Sequence, residues 1–175
     1  MSRNPEHHHR DSKDLRFGVV TVSSSRSAAA KDGREIQDES GDGVCGLVSS
    51  RGFRVTFRKL VGDDMIEIRR AFTEGLATGL VDALIFVGGT GAAASDVTPE
   101  AIEPMLKRSL PGFGEIFRQR SSQRIGAMAA LSRAMAGTVD EVAVFCLPGS
   151  PDGSALGMEI VLEMLPHLKA LLGPT

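Results

Sequence analysis

The chain has 175 residues, 42% of them hydrophobic, and a formal net charge of -2. That size and composition suit one globular domain with a sizeable core, and the slightly acidic balance argues against a nucleic-acid binder, whose footprint is basic and clustered. No apolar run approaches the ~20 residues of a membrane span and the N-terminus is polar rather than signal-like, so a cytoplasmic protein without membrane partners is expected.

Residues 1–14 hold Pro5, the run His7-His8-His9 and mostly polar neighbours, which predicts a disordered tail ahead of a single domain at 15–175. The histidines lack a fixed scaffold for a metal. Leu15 to Val22, with Phe17, Val19, Val20 and Val22, reads as a buried strand, followed by a polar loop from Ser23 to Glu39. A helix is predicted from about Asp42 to Ser50, with Gly52 at its left-handed C-terminal cap, and Arg54 to Leu60 alternates as a strand.

Asp63 or Asp64 can cap a second helix carrying Met65, Ile68, Phe72 and Leu76 on one stripe, and Gly79 ends it. Ala83 to Val87 is wholly apolar, as a central strand must be when both faces are covered. After the glycines that follow it, Thr98 as N-cap, Pro99 at the first helical position and Glu100 in the first turn mark a helix start. Pro111 to Ala136 is mostly helix-forming with a break near Ser121 to Gly126. Val142 to Leu147 gives another strand, and a last helix, about Ser154 to Leu172, is expected to kink at Pro166. Cys45 and Cys146 sit in apolar company with no Cys or His at metal-ligand spacing, and both read as reduced core thiols.

Alternating strands and helices predict a three-layer α/β/α fold with a mostly parallel central sheet. In such sheets the loops leaving the C-terminal strand ends share one edge, where ligands bind. Four loops then meet: Ser23 to Arg26, Gly62 to Asp64, Gly88 to Asp96 and Pro148 to Pro151. They offer hydroxyls and a cation (Ser23, Ser25, Arg26), backbone donors (Gly88, Gly89, Thr90, Gly91), a Pro148-Gly149-Ser150 turn and two carboxylates, Asp63 and Asp96. Glycines let a phosphate approach the backbone, and each carboxylate can give Mg²⁺ one oxygen while the ion bridges phosphate oxygens. Taken singly, Asp63 reads as a helix cap and Arg26 as a solvated charge; Asp96, ahead of the Thr98 cap, has no such role to fill.

Gly41, Gly43 and Gly46 spell G-x-G-x-x-G, a dinucleotide fingerprint in letters only, because a long polar loop separates them from the preceding strand. No Gly-Lys-Ser/Thr follows any glycine cluster, so a P-loop is absent too.

The motifs Gly88-Gly89-Thr90-Gly91, Asp96-Val97-Thr98-Pro99-Glu100-Ala101, Leu110-Pro111-Gly112-Phe113, Leu131-Ser132-Arg133 and Leu147-Pro148-Gly149-Ser150-Pro151 come in an order that resembles the MoaB/Mog family of molybdenum cofactor biosynthesis proteins. The resemblance spans about Phe17 to Leu172. It implies adenylylation of molybdopterin by Mg·ATP with release of pyrophosphate, and a homotrimer or hexamer working with other proteins of that pathway. ATP and molybdopterin are then substrates, and no tightly bound prosthetic group is expected. Carried over, Asp63 and Asp96 match the essential aspartates that handle Mg²⁺, Gly88 to Gly91 and Thr98 match the phosphate-binding segment, Ser132 lies near the pterin, and Pro148 and Gly149 shape the nucleotide pocket. Arg133 by itself reads as a structural or interface charge. Ser95 stands where the family has Arg and Ser24 where it has Asp, which defines the alternative: a protein that binds or carries molybdopterin without turning it over.

Overall fold

The computed structural model describes residues 14–173, and the predicted tail lies outside them except for Asp14. Strands β1 (Arg16–Val22), β2 (Arg54–Val61), β3 (Ala83–Val87), β4 (Arg108–Ser109), β5 (Met135–Val139) and β6 (Val142–Leu147) form one sheet in the order β2-β1-β3-β6-β5-β4. The first four positions in that order are parallel, while β5 runs antiparallel to β6, and β4 to β5. Helices α1 (Ser24–Lys31), α2 (Glu39–Ser50), α3 (Met65–Ala77), α4 (Thr98–Ile102), α5 (Pro111–Ile125) and α6 (Pro151–Leu172) complete the described elements, with 3-10 turns at Glu103–Met105 and Gly126–Leu131.

The three layers follow from strand periodicity. In β3, Ala83, Ile85 and Val87 enter one core with Val44 and Val48 of α2, Phe113 and Phe117 of α5, and Leu156, Val161 and Leu165 of α6. Leu84 and Phe86 enter the other, with Ile68 and Phe72 of α3 and Ala101 and Ile102 of α4. Every residue of β3 is therefore buried, which is why that strand shows no polar alternation.

Five sequence expectations change. The loop from Ser23 to Glu39 contains α1, which has almost no apolar face and exists because Ser23 caps it and Asp63 Oδ2 accepts its first amide, from Ser24, at 2.7 Å. Helix α2 begins three residues earlier than expected, since Asp38 caps it through Gly41 N at 3.1 Å. Helix α5 stops at Gly126, whose φ of 60° leaves the right-handed region, and Met135 and Ala136 belong to β5 instead. Thr98 is not an N-cap: Val97 holds that position, and the Thr98 hydroxyl is spent elsewhere. Gly52 (φ 77°) and Gly79 (φ 61°) end α2 and α3 as expected, and α6 runs through Pro166 from Pro151 rather than Ser154. Cys146 is buried, Cys45 half-buried, and neither is bonded to another cysteine.

Candidate functional site

The chain turns from β1 to β2 on one side and to β3 on the other, so the loops leaving β1 and β3 diverge at their C-terminal ends and open a crevice. Gly88, the first residue past β3, has φ 116°, and any Cβ there would collide with the carbonyl of Val22 at the end of β1. Its amide donates to Leu147 O at the end of β6 (3.0 Å). Gly149 packs on it from the other side, where a Cβ would stand 3.2 Å from Gly88 Cα. Glycine is required here because three strand ends converge on one backbone.

The carbonyls of the next residues all point away from the crevice. Gly88 O accepts the Thr98 hydroxyl at 2.8 Å and Gly89 O the Thr98 amide at 3.0 Å. Thr90 O accepts the Arg133 amide, and Gly91 O accepts Arg133 Nε, both at 2.8 Å. Among the described residues all peptide bonds are trans, so each fixed carbonyl sends the following N–H to the opposite side. Among the described residues the amides of Gly89, Thr90 and Gly91 carry no hydrogen bond. Successive free amides on a tight turn make an anion-binding concavity.

A cavity of about 550 Å³ lies over this loop, lined by Ser23, Arg26, Asp63, Gly88 to Gly91, Asp96, Ser132, Pro148 and Gly149. Most of the residues singled out from the sequence are thus brought together. Ser25 only shares a hydroxyl contact with Ser23 at 3.3 Å, Thr98 is buried beneath the loop, and Ser150 caps α6 while lining an adjoining cavity of about 350 Å³. Ser132 borders both cavities. Arg26 faces the cavity but is not a freely solvated charge, since its Nε donates to Gln37 O at 3.0 Å and its guanidinium lies 3.9 Å from Asp38.

Asp64, not Asp63, caps α3, accepting from Ile66 N and Glu67 N. Asp63 is therefore released to the site, with Oδ1 3.3 Å from where a Cβ on Gly89 would stand. Asp96 folds over Gly91 and accepts Ala93 N through Oδ2 at 3.0 Å. Each carboxylate thus uses one oxygen on a backbone amide and makes no ion pair among the described residues. Nor do the described residues hold a group of three metal-ligating side chains. Two singly anchored carboxylates beside a phosphate cradle fit Mg²⁺, which keeps its waters and is held by one or two carboxylates plus substrate phosphates.

The sequence reading missed one wall of this cavity. Ile125, Met128 and Leu131, 56%, 62% and 53% exposed, stand together around the Gly126–Leu131 turn and face it. Apolar residues at an irregular helix end give no periodic signal; the unexplained break near Gly126 was the only hint. The Gly41-Gly43-Gly46 motif lies within α2 rather than in a turn joining a strand to a helix, and Gly41 is needed because a Cβ would strike Thr21, Asp38 and Arg58.

A switch-point crevice with free loop amides and anchored carboxylates defines an α/β protein with an anion-compatible crevice at the sheet edge. The family model described as "Probable molybdopterin binding domain" matches residues 18–169, and the chain belongs to that family. It is 35% identical to molybdenum cofactor biosynthesis protein B of Bacillus subtilis over 93% of this chain and 94% of the relative. It is 37% identical to the molybdopterin adenylyltransferase of Pyrococcus furiosus, again over 93% and 94%. The crystal structure of the tungsten cofactor synthesizing protein MoaB from Pyrococcus furiosus superposes with a TM-score of 0.80 at 34% identity, over 91% of this chain and 98% of that one. Among the described residues no helix is long and apolar enough to cross a membrane.

Proposed function

We propose that this protein is a molybdopterin adenylyltransferase, transferring the adenylyl group of Mg·ATP to molybdopterin and releasing pyrophosphate. The observation that carries the reading is the row of unpaired amides at Gly89, Thr90 and Gly91 facing two carboxylates that no side-chain cation neutralises. The names of the relatives in Pyrococcus furiosus and Methanocaldococcus jannaschii support the reaction type.

In this reading the amides bind phosphate oxygens of ATP, and the exposed apolar wall of Ile125, Met128 and Leu131 takes a planar ring. Asp63 and Asp96 would hold Mg²⁺, which supplies charge neutralisation at the reacting phosphate. The pterin substrate contributes the attacking oxygen: its bond to the α-phosphorus forms as the bond to pyrophosphate breaks. The cavity orients the two substrates, a large part of what such a transfer needs. A homotrimer or hexamer and a cytoplasmic location belong to the same proposal; light scattering after size exclusion tests the first.

The carrier alternative draws on one observation: the cavity is lined by a single basic side chain, Arg26, already engaged with Gln37, and exposed Ser95 adds no charge beside Asp96. Incubation with molybdopterin and Mg·ATP decides. Adenylylated pterin and pyrophosphate, lost in Asp96→Ala, support the enzyme; activity that survives Asp96→Ala overturns the mechanism; tight pterin binding without pyrophosphate supports the carrier.

A further inference from the structure

We infer that Arg133 is the positioning residue of the site: without touching the ligand, it aims the loop amides and holds Asp96 in place. It rests on the adenylylation reading only for its kinetic consequence.

The geometry gives the structural charge read from the sequence a specific target. From the segment between the Gly126–Leu131 turn and β5, Arg133 reaches the Gly91–Glu100 loop with its whole fork. Nε donates to Gly91 O at 2.8 Å, Nη2 to Asp96 O at 2.6 Å, and Nη1 to the Glu100 carboxylate. Its own amide holds Thr90 O at 2.8 Å. Across trans peptides, fixing Thr90 O aims Gly91 N–H and fixing Gly91 O aims Ala92 N–H. Thr98 fixes the two preceding carbonyls, so Arg133 supplies the half of the cradle that Thr98 does not.

Arg133 lines a separate cavity of about 520 Å³ behind the loop, along with Glu100 and Arg118, and does not line the one that holds the carboxylates. It therefore acts through the loop. Glu100 completes the clamp, and the Arg133 guanidinium holds its carboxyl below the usual carboxylate range. A lysine cannot replace this arrangement, because one ammonium lacks the planar fork that serves two carbonyls and a carboxylate together.

The test uses the whole protein and two probes. Magnesium pyrophosphate binding, measured by calorimetry, is expected to weaken about tenfold in Arg133→Ala. Exchange of the Asp96 and Thr98 amides should accelerate in the free protein while the β3 amides stay protected. Turnover should fall about 10²-fold through kcat, as misplacement of reacting groups by about 1 Å does, with the molybdopterin KM little changed. Arg133→Lys should restore less than half of either loss, and added guanidinium ion should partly rescue Arg133→Ala. Wild-type-like pyrophosphate binding in Arg133→Ala, full recovery in Arg133→Lys, or a wild type that does not bind pyrophosphate overturns the proposal. If Arg133→Ala fails to fold, Arg133→Lys and Glu100→Gln carry the same measurements, with unchanged binding and loop exchange in both as the overturning result. A wild type that binds pyrophosphate but makes no adenylylated pterin sinks the enzyme reading alone.

Discussion

At the N-terminal edge of the parallel strands, Asp82 is 5% exposed and receives Arg16 N at 2.9 Å, Arg16 Nε at 3.0 Å and Lys169 Nζ at 3.1 Å. At the C-terminal edge, Asp63 and Asp96 each receive a backbone amide and no side-chain cation among the described residues, while Arg26 and Arg133 turn to carbonyls and other carboxylates: Arg26 to Gln37 O and Asp38, Arg133 to Gly91 O, Asp96 O and Glu100. The same residue types serve opposite ends. Where cation meets carboxylate, charge is cancelled and the structure gains a fixed clasp between β1, β3 and α6. Where backbone dipoles hold the carboxylates, their charge stays available to a cation arriving with a ligand.

The sharpest way to test that contrast is to neutralise one carboxylate at each edge. Asp96→Asn keeps the shape and is expected to lower pyrophosphate release about 10³-fold, about 4 kcal/mol of barrier, in steady-state assays with an unchanged Tm. Asp82→Ala should do the reverse, costing about 3 kcal/mol because Arg16 and Lys169 lose a buried partner, with kcat unaffected; denaturant melts check it. Equal effects of both variants on stability would erase the distinction. Gly88→Ala falls between the two, since its strained φ and the collision with Val22 should cost about 2 kcal/mol and weaken pyrophosphate binding together.

Acid titration sharpens it further. Burial alone would raise the Asp82 pKa, but the Arg16 side chain and amide and Lys169 outweigh it, and the carboxyl titrates below its ordinary value. A folded pKa below the unfolded one means stabilisation that is fully present above the unfolded value of about 3.9 and lost as pH falls through the folded value. Wild-type stability should therefore drop steeply below about pH 4, and Asp82→Asn should flatten that part of the curve. The smallest effect is expected at the solvent-facing pair of Arg120 and Glu163, where Arg120→Gln should leave Tm within error.

Much of this was legible in the chain. The apolar runs of β1, β3 and β6, the glycines after Val87 and the Pro-Gly turn after Leu147 located the sheet edge, since each signal is local. Asp63 was harder. Two adjacent aspartates before α3 offer the same cap, and only the fold shows that Asp64 takes it and Asp63 turns to Ser24. What the structural charge of Arg133 holds was hidden for a related reason: a lone arginine has no sequence signature for carbonyls some forty residues away, such as that of Gly91.

By itself, the sequence determined the layered α/β architecture, because burial on both faces forces a continuous apolar run such as β3 and burial on one face forces the amphipathic stripe of α3, and it determined where the loop glycines fall. Only the tertiary structure decided β4, β5 and α1. The first is two residues long, the second carries Ala and Gly where a strand usually has branched side chains, and the third relies on Asp63 from another loop to satisfy its first amide. The direction of the Gly89 to Gly91 amides was likewise decided there, by Thr98 and Arg133 holding the carbonyls from behind.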